Sequence, residues 1–152
     1  MGENRVVGVL FVCSGNICRS PSAEGVFRSI DSAGLGGWHV GEMPDPRARA
    51  AARKRGIHLS GQEARKVVEA DFGGFDYVIG MDRKNRTGLL GKCPAGQEDR
   101  VHLFLDFVSG AETAEIPDPY YDGDDGFGRV LDLIEAASRA LHVHIRQNHL
   151  NT

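Results

Sequence analysis

The stretch Arg5 to Val12, RVVGVLFV, is apolar or glycine at every position after the first and shows no alternation. A strand buried on both faces reads this way, and such strands belong to parallel sheets. It runs into Cys13. Ser20 then supplies an N-cap and Pro21 a first helical position, for a helix carrying Ala23, Val26 and Phe27 to about Ser29. Ile30 to Ala33 predicts a short second strand. Gly34 to Gly41, with three glycines in its first four positions, predicts loop. An alanine- and arginine-rich helix follows over Pro46 to Arg55, capped by Asp45 and stopped by Gly56. Val67 to Gly73 predicts a short helix and Asp76 to Met81 a third strand, with Asp82 at its carboxyl end. Arg83 to Leu90 predicts a helix, Val101 to Phe107 a fourth strand, and Ser109 to Asp125 a long acidic loop. From Gly126 to about Gln147, Phe127, Val130, Leu131, Ile134, Ala137, Leu141 and Ile145 recur at helical spacing.

Strands that alternate with helices imply an α/β domain, a parallel sheet covered on both faces. Ligands of such sheets sit outside the carboxyl ends of the strands. Cys13, Asp82 and the loop after Phe107 all fall there. With 152 residues the chain is long enough for one domain with a substantial core, and no repeat, linker or low-complexity tract divides it.

Composition narrows the class. A net charge of −3 gives no reason to expect nucleic-acid binding, and the apolar run before Cys13 is too short to span a bilayer. The first residues carry no signal-peptide pattern. Three cysteines, an odd number, argue against a secreted disulfide scaffold and for a cytoplasmic protein with reduced thiols.

The chemistry concentrates in Cys13-Ser14-Gly15-Asn16-Ile17-Cys18-Arg19-Ser20. A cysteine and an arginine six positions apart are weak evidence alone, in a chain with 14 arginines. Placement between a buried strand and a helix strengthens it. There the backbone can curl so that successive N–H groups point inward and form an anion nest, and the helix dipole adds to the field. Gly15 relieves crowding in the turn, and Asn16 suits a left-handed conformation. Arg19 offers a planar fork matching two phosphate oxygens. The same field favours thiolate over thiol at Cys13, a nucleophile aimed at phosphorus. The leaving group needs a proton, and Asp118, stiffened between Pro117 and Pro119, is the candidate donor. Tyr120 and Tyr121 offer flat walls for an aromatic substrate.

Together, VCSGNICRSPSAEGVF, SAGLGGWHVGEMPDPRA, FDYVIGMD and the DPYY segment resemble the low-molecular-weight protein-tyrosine phosphatases, in order and spacing, from about Val6 to Leu141. The resemblance implies a three-layer sandwich around a four-stranded parallel sheet of order 2-1-3-4. It implies Cys13 as nucleophile, Arg19 as phosphate ligand and Asp118 as general acid and then base, through a cysteinyl-phosphate with no metal or organic cofactor. Ser14, Gly15, Asn16, Ile17 and Cys18 would complete the phosphate loop. Ser20 would hydrogen-bond the Cys13 sulfur, Asp82 would support the loop from beneath, and Trp38, Tyr120 and Tyr121 would line the cleft. Cys18 would form a reversible disulfide with Cys13. The apolar Ile17, where related protein-arginine phosphatases carry threonine, favours phosphotyrosine over phosphoarginine. The implied partners are phosphotyrosine proteins, a bacterial tyrosine kinase among them, met by a monomer or weak dimer in the cytoplasm without membrane insertion.

Against the family pattern, the first helix and its connection are about a dozen residues short, where a parallel crossover needs ~10–12 residues in all. This predicts a tight crossover and a short or displaced second strand. Leu35 stands where threonine is usual, and residues 142–152 extend past the usual end. Two other readings compete. An arsenate reductase of the same fold would need two downstream cysteines, and only Cys93 is available. A phosphate-binding module on an impaired scaffold would bind without turnover. Arg47, Arg49, Arg53, Lys54 and Arg55 read as a solvated helix face or a docking patch for acidic segments. His142, His144 and His149 match no metal spacing.

Overall fold

Alternation along the first strand sets the architecture. The computed structural model describes residues 7–27, 31–59, 61–111, 113–119 and 124–150. Strand β1, Val9–Cys13, is buried at every position. Val9, Phe11 and Cys13 face one core, while Leu10 and Val12 face the other. A strand with apolar side chains on both faces needs cover on both. β1 lies between β2 (Asp31–Gly34) and β3 (Tyr77–Gly80), with β4 (Val101–Leu103) beyond β3, all parallel, in the order β2-β1-β3-β4.

Helix α1 (Arg19–Phe27) and the long α5 (Asp124–Ile145) cover the face to which Cys13 belongs. From α5, Val130, Ile134, Ala137, Leu141 and Ile145 enter that core at helical spacing, and Phe11 meets Phe104 at a ring separation of 4.9 Å. Phe72 from α3 (Asp71–Gly74) and Leu89 from α4 (Arg83–Lys92) fill the other face. Helix α2 (Pro46–Arg53) sits apart from the sheet. Its Ala48 and Ala52 pack on Ile17, Cys18 and Phe127. Asp45 caps α2, accepting from the Arg47 N–H at 2.8 Å, and Gly56 takes a φ of 79° in the turn beyond it.

The short crossover closes. β2 is four residues long and pairs in register with β1, Leu10 opposite Asp31 through Cys13 opposite Gly34. Residues 28–30, where the helix end and the start of the strand were expected, lie outside the described residues.

Several boundaries differ from the sequence expectation. Helix α1 begins at Arg19, so Ser20 lies inside the first turn and its hydroxyl serves the loop instead of capping. Gly34, expected in a loop, ends β2. The helix expected over Val67 to Gly73 is only Asp71–Gly74. Before it the chain is extended, Lys66 bridging Gly34 at the sheet edge. The β-branched pair Val67 and Val68 favours that course. The fourth strand stops at Leu103, and Phe104–Phe107 turns into a 3₁₀ helix. A short apolar run does not distinguish the two. Helix α2 ends at Arg53, α4 runs on to Lys92, and α5 starts at Asp124 and passes into a π-helical turn over Arg146–Leu150.

At the carboxyl end of α5, His144 joins Tyr77, His102 and Phe107 in a ring cluster with centroid separations of 5.0 to 6.1 Å. Burial first, and then the facing His144, push the half-buried His102 imidazole below its ordinary value, while Asp106 and Asp99 act the other way. The unfolded chain therefore takes up this proton first. Stability is fully present above the unfolded value of ~6.5 and is lost as pH falls through it toward the folded value. His102→Phe should shrink the drop in Tm between about pH 7.5 and about pH 5.5. A drop as large as that of the wild type would show that another group carries the acid sensitivity.

Candidate active site

The loop from Cys13 to Arg19 leaves the carboxyl end of β1 and enters α1, and its shape is set residue by residue. Asn16 stands at φ 60°, the one left-handed non-glycine residue among those described. Its side chain uses all its hydrogen-bonding edges. Nδ2 donates to Ser20 Oγ at 2.8 Å and to Ser32 Oγ at 2.9 Å, and Oδ1 accepts the backbone N–H of Arg65 at 2.9 Å. Asn16 is buried, so these bonds form away from competing water.

Gly34 braces the loop from β2. Its backbone N–H and C=O bond Arg65 O and Val67 N at 2.8 Å each. A Cβ on Gly34 would stand 3.0 Å from Gly15 C, 3.1 Å from Ser14 O and 3.2 Å from Asn16 Cβ. Backbone meets backbone there, and only glycine allows that approach without displacement. Leu35 N donates to Cys13 O, and Gly36 N to Ser14 O, at 3.0 Å each. Gly15 itself has an ordinary φ. Its need is space, because a Cβ there would meet His39 Cδ2 at 2.9 Å.

Around the sulfur, Asn16 N–H donates to Cys13 Sγ at 3.3 Å, and Ser20 Oγ lies 3.0 Å from it. Arg19 is 2% exposed, an uncommon position for a guanidinium. Its Nη1 donates to Asp82 Oδ2 at 2.7 Å and to Ile116 O at 3.0 Å. Nη2 lies on the cleft side, 3.6 Å from Asp118 Oδ2. Burial alone would lower the Arg19 guanidinium, but Cys13, Asp82 and Asp118 outweigh it and hold it above its ordinary range. Asp82 does two tasks, since its Oδ1 accepts Asn85 N–H at 2.7 Å and caps α4. Asn85 in turn reaches Ser14 Oγ at 3.3 Å.

These groups open on a cleft of about 300 Å³ lined by Cys13, Ser14, Gly15, Ile17, Cys18, Arg19, Trp38, His39 and Asp118. Trp38 is 73% exposed at the rim, its ring laid over Gly36. His39 donates from Nδ1 to Glu42 Oε2 at 3.1 Å, since a carboxylate can only accept. Asp118 is half exposed. Cys18 packs under α2, where burial first, and then the charge of Asp45, push its thiol well above its ordinary range. Cys93 lies after α4, outside the cleft lining. Tyr120 and Tyr121 lie outside the described residues.

The structure thus brings Cys13, Arg19 and Asp118 to one cleft with the rest of the loop. It adds residues that the sequence reading passed over: Ser32, Gly34, His39, Arg65 and Asn85. Asn85 had a local signal, three positions after Asp82 as in a helix cap. Gly34 and Ser32 had none, because their role exists only once β2 is laid beside β1. The described residues contain no group of three or more potential metal ligands, and the donors at the cleft suit an oxyanion.

The family model for low molecular weight phosphotyrosine protein phosphatase matches residues 8–151. The low molecular weight phosphotyrosine protein phosphatase of Schizosaccharomyces pombe is 44% identical over 135 residues, covering 80% of this chain and 86% of that protein. The low molecular weight protein-tyrosine-phosphatase YfkJ of Bacillus subtilis is 38% identical over 154 residues, covering 93% of this chain and 97% of its own. The crystal structure of YfkJ superposes with a TM-score of 0.89 over 97% of this chain and 99% of that one. That of a protein tyrosine phosphatase from Entamoeba histolytica, with Hepes in its active site, superposes with a TM-score of 0.90 at 38% identity, over 93% of this chain and 98% of the other.

Gly34→Ala should weaken binding of inorganic phosphate about 10-fold or more, because a loop donor displaced by a fraction of an ångström loses its aim. Titration calorimetry measures this. Wild-type phosphate affinity in a folded variant would mean that the loop does not depend on this contact.

Proposed function

The chain belongs to the low molecular weight phosphotyrosine protein phosphatase family, and from that premise we propose that it hydrolyses phosphotyrosine in proteins through Cys13, Arg19 and Asp118. The observation that carries the reading is the meeting of three groups on one cleft: a sulfur that accepts the Asn16 N–H and lies 3.0 Å from Ser20 Oγ, a buried guanidinium, and a half-exposed carboxyl group 3.6 Å from that guanidinium.

The phosphoryl group enters the loop with two oxygens against Arg19 and the others against backbone N–H groups. Cys13 Sγ attacks phosphorus as the P–O bond to the tyrosyl ring breaks, and Asp118 gives its proton to the departing phenolic oxygen. Water then attacks the cysteinyl-phosphate. Asp118 takes the proton of that water, the S–P bond breaks, and Ser20 hydrogen-bonds the departing sulfur. Asn16 holds the donors in place before charge develops, so little reorganisation is needed at the transition state. Trp38 offers a face for the phenyl ring. The apolar Ile17 gives no hydroxyl to a phosphoramidate nitrogen, so phosphoarginine should be a poor substrate.

Several features support this reading over its competitors. Cys93 outside the cleft does not suit an arsenate-reducing disulfide relay. The complete loop and the placed Asp118 favour turnover over binding alone. No described helix is long and apolar enough to cross a membrane. Cys13, Cys18 and Cys93 are free thiols, which suits the reducing conditions of a cytoplasm.

On a phosphotyrosyl peptide, Cys13→Ser should abolish turnover while keeping binding, and Asp118→Ala should lower kcat about 10²- to 10⁴-fold. The loss should be smaller on para-nitrophenyl phosphate, whose leaving group needs less protonation. Turnover surviving in Cys13→Ser, or phosphoarginine cleaved as fast as phosphotyrosine, would overturn the assignment.

Cys18 belongs to the same reading. Peroxide oxidises the Cys13 thiol to a sulfenic acid and releases water. Attack by the Cys18 sulfur on the sulfenic acid then expels a second water and leaves a disulfide that external thiol reduces. Because burial keeps the Cys18 thiol protonated, this closure should be slow at neutral pH and speed up as pH rises. After prolonged peroxide treatment dithiothreitol should restore more activity in the wild type than in Cys18→Ala, whose unprotected sulfenic acid is oxidised on to the irreversible sulfinic acid. Equal recovery in the two would remove Cys18 from the mechanism.

A further inference from the structure

Helix α2 is tied to the phosphate loop along its inner side. Asp45 N donates to Ile17 O at 2.8 Å, and Ala48 and Ala52 pack against Ile17 and Cys18. The segment leading into α2 starts at the cleft, where Trp38 and His39 line it, and continues through the exposed Val40 and Met43 to Pro44. Arg49 Nε donates to the carbonyl of Pro44 at 3.0 Å, which anchors this cation to the segment that leads from the cleft into the helix.

Beyond it lies a small recess lined by Arg49, Arg53, Ile57, His58 and Leu59. Three of its five lining residues are basic and none is acidic. The other arginines of this helix and its end are matched. Arg47 pairs with Asp45 at 3.2 Å, and Arg55 with Asp132 and Glu135 at 2.9 and 2.6 Å. Among the described residues, no carboxylate comes within 4.0 Å of Arg49 or Arg53 at an ion-pairing atom. Acidic side chains outnumber Lys and Arg in this chain, 21 to 18, so a recess with unmatched cations is not what its composition favours. The helix dipole explains a cation in the last turn, Arg53. It does not explain Arg49 one turn earlier, where like charges four residues apart repel.

We propose that the outward face of α2, at Arg49, Arg53 and His58, docks an acidic segment of the phosphoprotein substrate that flanks the phosphotyrosine. This rests on the phosphatase reading of the cleft and names the kind of sequence it selects. Distance sets the spacing. From the cap at Asp45 to Arg53 the helix rises ~12 Å, at 1.5 Å per residue. An extended peptide covers that in about three or four residues, at ~3.3 Å each. With the peptide leaving the cleft beside Asp45, whose N–H is bonded to the phosphate loop at Ile17 O, the preferred substrate carries Asp or Glu three or four positions from the phosphotyrosine on one side.

The test compares phosphotyrosyl peptides carrying Glu-Glu or Gln-Gln at the third and fourth positions, placed before or after the phosphotyrosine. In one of the two placements the wild type should favour the acidic peptide about three- to tenfold in kcat/KM, mainly through KM, and less at high salt. Arg53→Gln and Arg49→Gln/Arg53→Gln should reduce that preference toward one, with para-nitrophenyl phosphate turnover unchanged in Arg53→Gln. The double variant guards against compensation, and the exposed, unpaired Arg53 is a position where folding should not suffer. Equal kcat/KM for acidic and neutral peptides in both placements, or a preference that survives the double substitution, would overturn the proposal while leaving the phosphatase reading intact. Should the wild type hydrolyse no phosphate ester, the phosphatase reading fails instead. Fluorescence anisotropy of the same peptides on Cys13→Ser then still measures whether the acidic one binds more tightly and whether Arg53→Gln abolishes the difference.

Discussion

The close approach of β2 to the phosphate loop is the constraint on which the site depends. The left-handed turn at Asn16 is costly for a residue with a side chain, and nothing in an isolated loop would hold it. Here Gly34 lays bare backbone against Gly15 and Ser14, and the Asn16 side chain fastens the left-handed turn to Ser20, Ser32 and the Arg65 main chain. The loop is thus held by three separate segments. Its shape is inherited from the register of the sheet, and the anion needs no conformational energy to organise it.

Charge is organised by the same logic. A guanidinium as buried as Arg19 would be costly unless matched. Asp82 and the Ile116 carbonyl match one edge of it, and the other edge faces the cleft. Asp82 also caps α4, so the position of Arg19 is tied to the start of a helix on the far face of the sheet. A second, partly exposed network has the same form. Arg65 grips Asp31 and Asp71 through its side chain while its backbone N–H holds Asn16. The geometry at the sulfur therefore depends also on residues outside the cleft lining.

Much of this was visible along the chain. The unbroken apolar run ending at Cys13 pointed to a central parallel strand, and the glycine, asparagine and arginine beyond it pointed to an anion cradle. The positive φ of Asn16 and the cap at Asp45 agree with what those residue types favour locally. The features that escaped are non-local. Ser32 and Gly34 matter because of what lies beside them across a parallel pairing, and Arg65 because of a contact 49 positions away in the chain. Phe104 and Leu105 have the same apolar character in a strand or a 3₁₀ turn, so the end of the fourth strand could not be read from hydropathy. The short crossover proved sufficient, since nine residues of α1 and a four-residue β2 satisfy the pairing with β1.

Trp38 is the sole tryptophan of the chain, and it stands at the cleft rim with most of its indole in water. The core holds no second indole to mask it. The intrinsic emission of the molecule is therefore a local optical reporter: it records the wetness of one ring, and a ligand that covers that ring announces itself without any label.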